Sequence, residues 1–156
     1  MPMRTGTPLP SLEGVEKWIN GVPDLDALAG SPVLVHFWSV SCGQCKGTLP
    51  NVVAWRDAYG DRGLRVVGIH KPRSEADLAI DAIEEAIREY GLTHPQAIDN
   101  DYTIVDRFTN EFVPAFYLFD QDGKLRHYQA GDRGMKMIQG ALDRVLGATH
   151  EGVRGS

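Results

Sequence analysis

A short apolar run followed by two closely spaced cysteines constrains the fold of this 156-residue chain more than any other feature. Residues 33–38 are apolar and rich in β-branched and aromatic side chains, which is typical of a strand covered on both faces. A tight turn leads from this run to Cys42 and Cys45, and apolar positions at helical spacing continue to Tyr59. The segment therefore predicts a buried strand, a turn, and a helix over about residues 42–59 with the cysteines at its N-terminus.

The rest of the chain alternates further strands and helices. Pro50 falls inside the first long helix and predicts a kink there, and Ser74 can cap the next helix. Residues 1–31 are rich in proline and glycine and predict an irregular arm that could include a short strand pair. We predict strands at 64–69, 96–98, 113–119 and 125–130, and helices at 74–90, 102–108 and 133–147.

This order predicts a single α/β domain spanning residues 1–156. Parallel strand pairs come first and an antiparallel hairpin comes last, so the central sheet should be mixed, with helices on both faces. The core is expected at about 9–147, and residues 1–8 and 148–156 are expected to be flexible ends.

Composition excludes several classes of partner. The net charge is −5, whereas general nucleic-acid binding requires a basic face. No stretch approaches the roughly 20 apolar residues of a membrane span. The N-terminus carries no apolar run of signal-peptide length, so we expect a cytoplasmic location.

The two cysteines predict thiol–disulfide chemistry. A helix N-terminus stabilises a thiolate through its free N–H groups and dipole, so Cys42 should be the exposed attacking thiol. Cys45 lies one turn later and should be the buried resolving thiol. A structural zinc site needs about four ligands, and the chain has neither a second cysteine pair nor a His-x3-His pattern. We therefore expect neither a metal nor a cofactor.

The segment from Val33 to Lys46 resembles the strand, turn and active-site helix of the thioredoxin superfamily, and within it the TlpA/ResA-like thiol–disulfide oxidoreductases. The resemblance covers roughly residues 9–147. Pro50 falls where that family has its helix-kinking proline, and Val113-Pro114 resembles the cis-proline segment that docks the substrate chain. The helix predicted at 74–90 resembles the insertion of this group. The resemblance implies a thioredoxin-like fold with disulfide reductase activity.

Three positions depart from the better-known relatives. Gly43-Gln44 replaces the Gly-Pro that thioredoxins carry between the cysteines. His36 replaces a buried aspartate that accepts the proton of the resolving thiol. Thr48 replaces a glutamate frequent in ResA-like members. For His36, a core histidine bonded to the backbone and a proton-transfer role are both open, whereas Trp38 is expected to pack beneath the active-site loop.

A cationic rim around the cysteines is a separate hypothesis. The first two predicted strands should be parallel neighbours, so their C-terminal ends lie at one edge of the sheet. His70, Lys71 and Arg73 would then surround the mouth of the site, lower the pKa of Cys42 and attract acidic partners. The alternative is that His70 and Arg73 belong to a solvated loop.

The leading function is reduction of protein or small-molecule disulfides, with an unidentified electron donor. One alternative is a thiol peroxidase on the same fold. Its Pro-x3-Thr-x2-Cys motif is absent, because Val35 and Ser39 occupy the first two positions. A third interpretation is a module that binds a metal or a partner. His94, His127 and His150 show no partner pattern, and we assign them no role.

Overall fold

Six strands and five helices make up the part of the chain, residues 3–147, that the computed structural model describes. The strands are β1 (Lys17–Ile19), β2 (Val33–Trp38), β3 (Arg65–His70), β4 (Gln96–Ile98), β5 (Ala115–Phe119) and β6 (Leu125–Ala130). The α-helices are α1 (Leu25–Ala29), α2 (Gly43–Tyr59), α3 (Ile80–Glu89), α4 (Thr103–Phe108) and α5 (Met135–Leu142).

All six strands form one mixed sheet in the order β1-β4-β3-β2-β5-β6. β2 pairs with β3 in parallel and with β5 in antiparallel orientation, and β3 pairs with β4 in parallel. Every residue of β2 is buried, because the strand is central and covered on both faces. This position explains its unbroken apolar sequence.

Helices cover both faces of the sheet, and the predicted α/β fold class is confirmed. On one face, α2 and α5 pack against Leu34 and Phe116. On the other face, α1, α4 and the N-terminal arm pack around Phe37. The Phe37 ring lies edge-on to Phe108 and Tyr117, with centroid distances of 5.1 and 5.3 Å. Burial of one such side chain contributes about 1.5–3 kcal/mol to stability.

Backbone hydrogen bonds attach the N-terminal arm to the sheet. The N–H groups of Gly6 and Leu9 donate to the carbonyls of Leu125 and Gly123, at 2.7 and 2.8 Å. The Leu125 N–H donates in turn to the Thr7 carbonyl at 2.8 Å. Residues 1–2 and the predicted flexible end at 148–156 lie outside the described residues.

Two short elements in the arm extend the predicted order. β1 pairs antiparallel with β4 at one edge of the sheet. α1 begins after Asp24, whose side chain accepts hydrogen bonds from the N–H groups of Asp26 and Ala27. A helix of five residues is too short to show a helical hydrophobic period, so the sequence pattern did not predict it.

The helix predicted at 74–90 is divided in two. Glu75–Leu78 form a 3-10 turn, and α3 follows after Ala79, whose backbone is extended at φ −72° and ψ 106°. Ser74 makes no side-chain cap. Ala76 and Ala79 lie at helical spacing from Ile83 but are exposed, whereas Asp77 is 1% exposed. The carboxylate of Asp77 is held inside by hydrogen bonds, and this interrupts the helix.

The C-terminal helix also differs from the prediction over 133–147. α5 ends at Leu142, and Asp143–Gly147 form a π-helical turn. Ile138, Ala141 and Leu142 are buried against the sheet, whereas Met137 is 64% exposed. Within residues 3–147, no helix combines the length and the apolar character needed to cross a membrane.

Candidate active site

Cys42 and Cys45 lie where β2 gives way to α2, and they are joined as a disulfide. Cys42 is the N-cap of α2, and its Cα lies 5.2 Å from that of Cys45. The N–H of Cys45 donates a hydrogen bond to the Cys42 sulfur at 3.0 Å. The first N–H groups of a helix have no partner within the helix, so this sulfur takes the place of a capping oxygen. When the pair is reduced, the same N–H would stabilise a thiolate on Cys42.

Burial of the pair matches the prediction for only one of the two cysteines. Cys45 is fully buried as expected, but Cys42 is only 3% exposed in the disulfide state. Both belong to an apolar cluster with Trp38 and Ile83, against which Val113 packs. The inserted helix α3, which supplies Ile83, therefore covers part of the site. In the disulfide form Cys42 is therefore less accessible than the exposed thiol that the sequence predicts.

Trp38 and the proline segment border the cysteines. Trp38 is 1% exposed and donates its Nε1–H to Gln96 Oε1 at 2.9 Å. The Val113–Pro114 peptide bond is cis, and Pro114 is buried directly before β5. β5 lies beside β2 in the sheet, so this segment lies at the sheet edge from which the cysteine loop departs. The structure thus brings Trp38, Val113 and Pro114 to the cysteine pair.

His36 pairs with another histidine rather than with the backbone. Its Nε2 lies 2.9 Å from Nε2 of His94, and Gln96 Nε2 lies 2.8 Å from the same His94 atom. The Trp38 N–H fixes the Gln96 oxygen on its own side, so the Gln96 NH₂ group faces His94. Arg56 Nη1, which can only donate, lies 3.3 Å from the other His94 nitrogen, Nδ1. One hydrogen lies between the two Nε2 atoms and joins the rings in a hydrogen bond.

The two histidines form a neutral pair. Burial, and then the neighbouring His94, hold the pKa of His36 well below its usual value. Burial and the Arg56 guanidinium lower the pKa of His94 to about 3. Neither ring is a good proton acceptor at neutral pH, which weighs against the proton-transfer role for His36. His94 is 58 residues from His36 in the chain, and no sequence signal connected them.

The cationic rim predicted around the cysteines is only partly present. His70 is fully buried, and its Nε2 accepts the Val40 N–H at 3.0 Å. Burial lowers the pKa of His70 to about 4, despite an opposing contribution from Asp77. Its Nδ1 has no hydrogen-bond partner among residues 3–147. His70 is therefore neutral, and the expectation that it contributes a positive charge is wrong.

Lys71 and Arg73 have different positions relative to the cysteines. Lys71 Nζ donates to the carbonyl and side-chain oxygens of Asn110 at 3.3 and 3.1 Å, which ties it to the loop before Pro114. Partial burial lowers its pKa. Arg73 reaches the cysteine loop and donates to the Ser41 carbonyl at 2.9 Å. Of the three predicted cations, Arg73 is the one in contact with the residue next to Cys42.

A buried redox pair at the start of a helix, beside a cis-proline segment on a mixed α/β sheet, defines a thioredoxin-like thiol–disulfide oxidoreductase. Comparison with known proteins gives the family. Residues 5–128 match the model of the AhpC/TSA family, and the chain belongs to that family.

Individual relatives agree with this class. The chain is 46% identical over 148 residues to the thiol-disulfide oxidoreductase YkuV of Bacillus subtilis, covering 94% of this chain and 99% of YkuV. It is 25% identical over 122 residues to the thiol-disulfide oxidoreductase ResA of Bacillus thuringiensis, covering 78% and 68% of the two chains. A solution structure of a thioredoxin-like protein in the oxidized form superposes with a TM-score of 0.85 at 46% identity, covering 94% and 99%.

Proposed function

We propose that the protein reduces disulfide bonds in other proteins, with Cys42 as the attacking thiol and Cys45 as the resolving thiol. The observation that carries the proposal is the Cys42 sulfur at the N-cap of α2, where it accepts the Cys45 N–H. That position favours a thiolate at Cys42. Cys45 is fully buried one turn later, where an external disulfide does not reach it.

The proposed reaction has two exchange steps. The Cys42 thiolate attacks a substrate disulfide, forms a mixed disulfide, and releases one substrate sulfur as a thiolate. The Cys45 thiolate then attacks the Cys42 sulfur and releases the second substrate thiolate. The substrate gains two electrons and, from solvent, two protons. The protein is left with the Cys42–Cys45 disulfide, and a dithiol donor must reduce it before the next cycle.

The proline segment supplies the proposed docking surface. Val113 packs against the cluster that contains both cysteines, and the chain enters β5 directly after Pro114. An extended substrate segment lying along Val113 and Pro114 would present its disulfide to Cys42. Phe112 is 60% exposed beside this segment and extends the apolar surface available to such a chain. Trp38 supports the site from below through its bond to Gln96.

The proposal includes two further points: the chain is a single domain, and the protein acts in the cytoplasm. The chain contains two cysteines, and both belong to the redox pair, so no structural disulfide framework is left. This cysteine use is typical of a reducing compartment. Alkylation of the thiols in intact cells, followed by mass spectrometry, measures the reduced fraction. A pair that is fully oxidised in the cell would contradict both the location and the direction of electron flow.

Trapping with Cys45→Ser tests the proposed roles. This variant should accumulate mixed disulfides on Cys42, whereas Cys42→Ser, the matched control, should accumulate none. The wild-type protein should also catalyse reduction of insulin by dithiothreitol, and both variants should lose that activity. Adducts that form only in Cys42→Ser would reverse the roles, and the absence of adducts in both would refute the proposal.

Nothing in residues 3–147 favours the peroxidase alternative. Ser39 stands where the peroxidase motif has its threonine, and its hydroxyl donates to the Lys71 carbonyl, so it is not free to bind peroxide. Consumption of hydrogen peroxide by the reduced protein is the direct measurement. Stoichiometric zinc in the reduced protein, without insulin reduction, would instead favour a binding module.

A further inference from the structure

Two groups of opposite charge hold Ser41, the residue directly before Cys42. The Arg73 guanidinium donates to the Ser41 carbonyl at 2.9 Å, and to its hydroxyl at 3.2 Å from Nη2 and 3.3 Å from Nε. The Ser41 hydroxyl donates to Asp77 Oδ2 at 2.8 Å, and the Arg73 N–H donates to the same oxygen at 2.9 Å. Both charged residues lie in the segment inserted between β3 and α3.

The two charged side chains differ in burial, so their effects on neighbouring groups are unequal. Asp77 is 1% exposed, whereas Arg73 is exposed. A charge in a low-dielectric environment acts more strongly on its neighbours than one in contact with water and salt. Asp77 holds the side chain of the residue that directly precedes Cys42 in the chain, and the field of a buried charge extends beyond its contact partner. The negative charge of Asp77 opposes a thiolate on Cys42, while the Arg73 cation favours it.

We propose that Asp77 and Arg73 are positioning residues that hold the cysteine loop through Ser41 and act in opposite directions on the stability of the Cys42 thiolate. Asp77 thereby favours the disulfide form and makes the dithiol a better reductant, and Arg73 partly offsets it. The proposal rests on Cys42 being the attacking thiol, as in the proposed function. It replaces the all-cationic rim expected from the sequence, because His70 is neutral and a buried anion is present.

The other titratable groups around the loop have to be kept unchanged in a test. They are Lys46 on α2, His70 and Lys71 at the end of β3, and Glu111 in the loop before Pro114. Asp77→Asn keeps the size of the side chain and an oxygen that can accept from Ser41, but removes the charge. Arg73→Gln removes the exposed cation, and Arg73→Lys retains it as the matched control.

The experiment measures the Cys42 pKa in the full-length reduced protein and its variants. Thiolate absorbance near 240 nm and the rate of alkylation by iodoacetamide are followed against pH, and mass spectrometry identifies the alkylated cysteine. Asp77→Asn should lower the Cys42 pKa by about 0.5–1 unit. Arg73→Gln should raise it by a smaller amount, roughly 0.3 unit, that vanishes in 1 M salt. Arg73→Lys should stay closer to the wild type than Arg73→Gln, because it keeps the charge but not all the hydrogen bonds to Ser41.

The equilibrium with glutathione gives an independent readout. A more stable thiolate makes the reduced form more favourable, so Asp77→Asn should shift the dithiol–disulfide equilibrium toward the dithiol by about threefold to tenfold. Arg73→Gln should shift it the other way. If Asp77 and Arg73 only held the cysteine loop in place, both substitutions should shift the Cys42 pKa and the equilibrium with glutathione in the same direction. An unchanged or raised Cys42 pKa in Asp77→Asn overturns the proposal, whereas preferential alkylation of Cys45 would overturn the proposed function instead.

Discussion

Replacing His94 by leucine should destabilise the protein although the new side chain is apolar and of similar volume. The His94 Nε2 atom lies within hydrogen-bond distance of His36 Nε2 and Gln96 Nε2, at 2.9 and 2.8 Å. His36 is 1% exposed and Gln96 is fully buried. The substitution removes this nitrogen and leaves one polar atom on each of two buried side chains without its partner.

The expected loss in the free energy of unfolding follows from the two buried side chains, His36 and Gln96, that lose their contact with His94. A buried donor or acceptor that loses its partner costs about 1–3 kcal/mol. His94 also lines a surface cavity of about 490 Å³ together with Arg56 and Pro95, so water can reach part of the vacated space and the cost should fall toward the lower limit. We expect His94→Leu to lower the free energy of unfolding by about 2–4 kcal/mol in total.

The double variant His36→Leu/His94→Leu is the matched control, because it removes both rings of the pair and leaves only the Gln96 amide without its partner. It should recover about 1–2 kcal/mol relative to the sum of the single substitutions. Urea unfolding monitored by tryptophan fluorescence at pH 7 gives the three free energies. A loss below 0.5 kcal/mol in His94→Leu, or strict additivity in the double variant, would refute the assigned hydrogen-bond pair.

Two further predictions concern the end of β3. The folded-state pKa of His70 is lowered from 6.5 to about 4, so its contribution to stability is present above about pH 6.5 and is lost as the pH falls toward 4. This group should lower the free energy of unfolding by about 2 kcal/mol between pH 7 and pH 5. The variant His70→Gln should lack this loss. An equal pH dependence in both proteins would contradict the lowered pKa of His70. Lys71→Met breaks both bonds to Asn110 and should loosen the loop before Pro114, so insulin reduction should show a KM raised about threefold to tenfold with a smaller change in kcat. A change confined to kcat would place Lys71 in the chemistry rather than in docking.

The strand, turn and helix around the cysteines could be predicted because their signals are local. The apolar run of β2, the Cys42–Cys45 spacing and the apolar positions of α2 lie within 27 consecutive residues, 33–59. The cysteine pair occupies the predicted strand-to-helix junction. The thioredoxin-like class followed from that segment together with Val113-Pro114.

The surroundings of the cysteines could not be predicted, because they depend on contacts between distant residues. Asp77 occurs in a segment with strong helical periodicity, and its burial depends on Ser41, 36 residues earlier. His36 and His94 are each unremarkable in the sequence and acquire a role only as a pair. His70 was placed correctly at the sheet edge, but its charge depends on burial that the sequence pattern does not reveal.

The two outer strands of the sheet differ in how much unpaired backbone they present. An unpaired strand edge presents free N–H and C=O groups that can template pairing with another chain. β1 forms one edge with three residues, so it offers a foreign strand few backbone partners. At the other edge, Thr7 bonds to the first residue of β6, Leu125, and so occupies the start of that strand. Truncation within residues 3–9 would uncover the start of this edge and lengthen the run of backbone groups available for pairing with another chain.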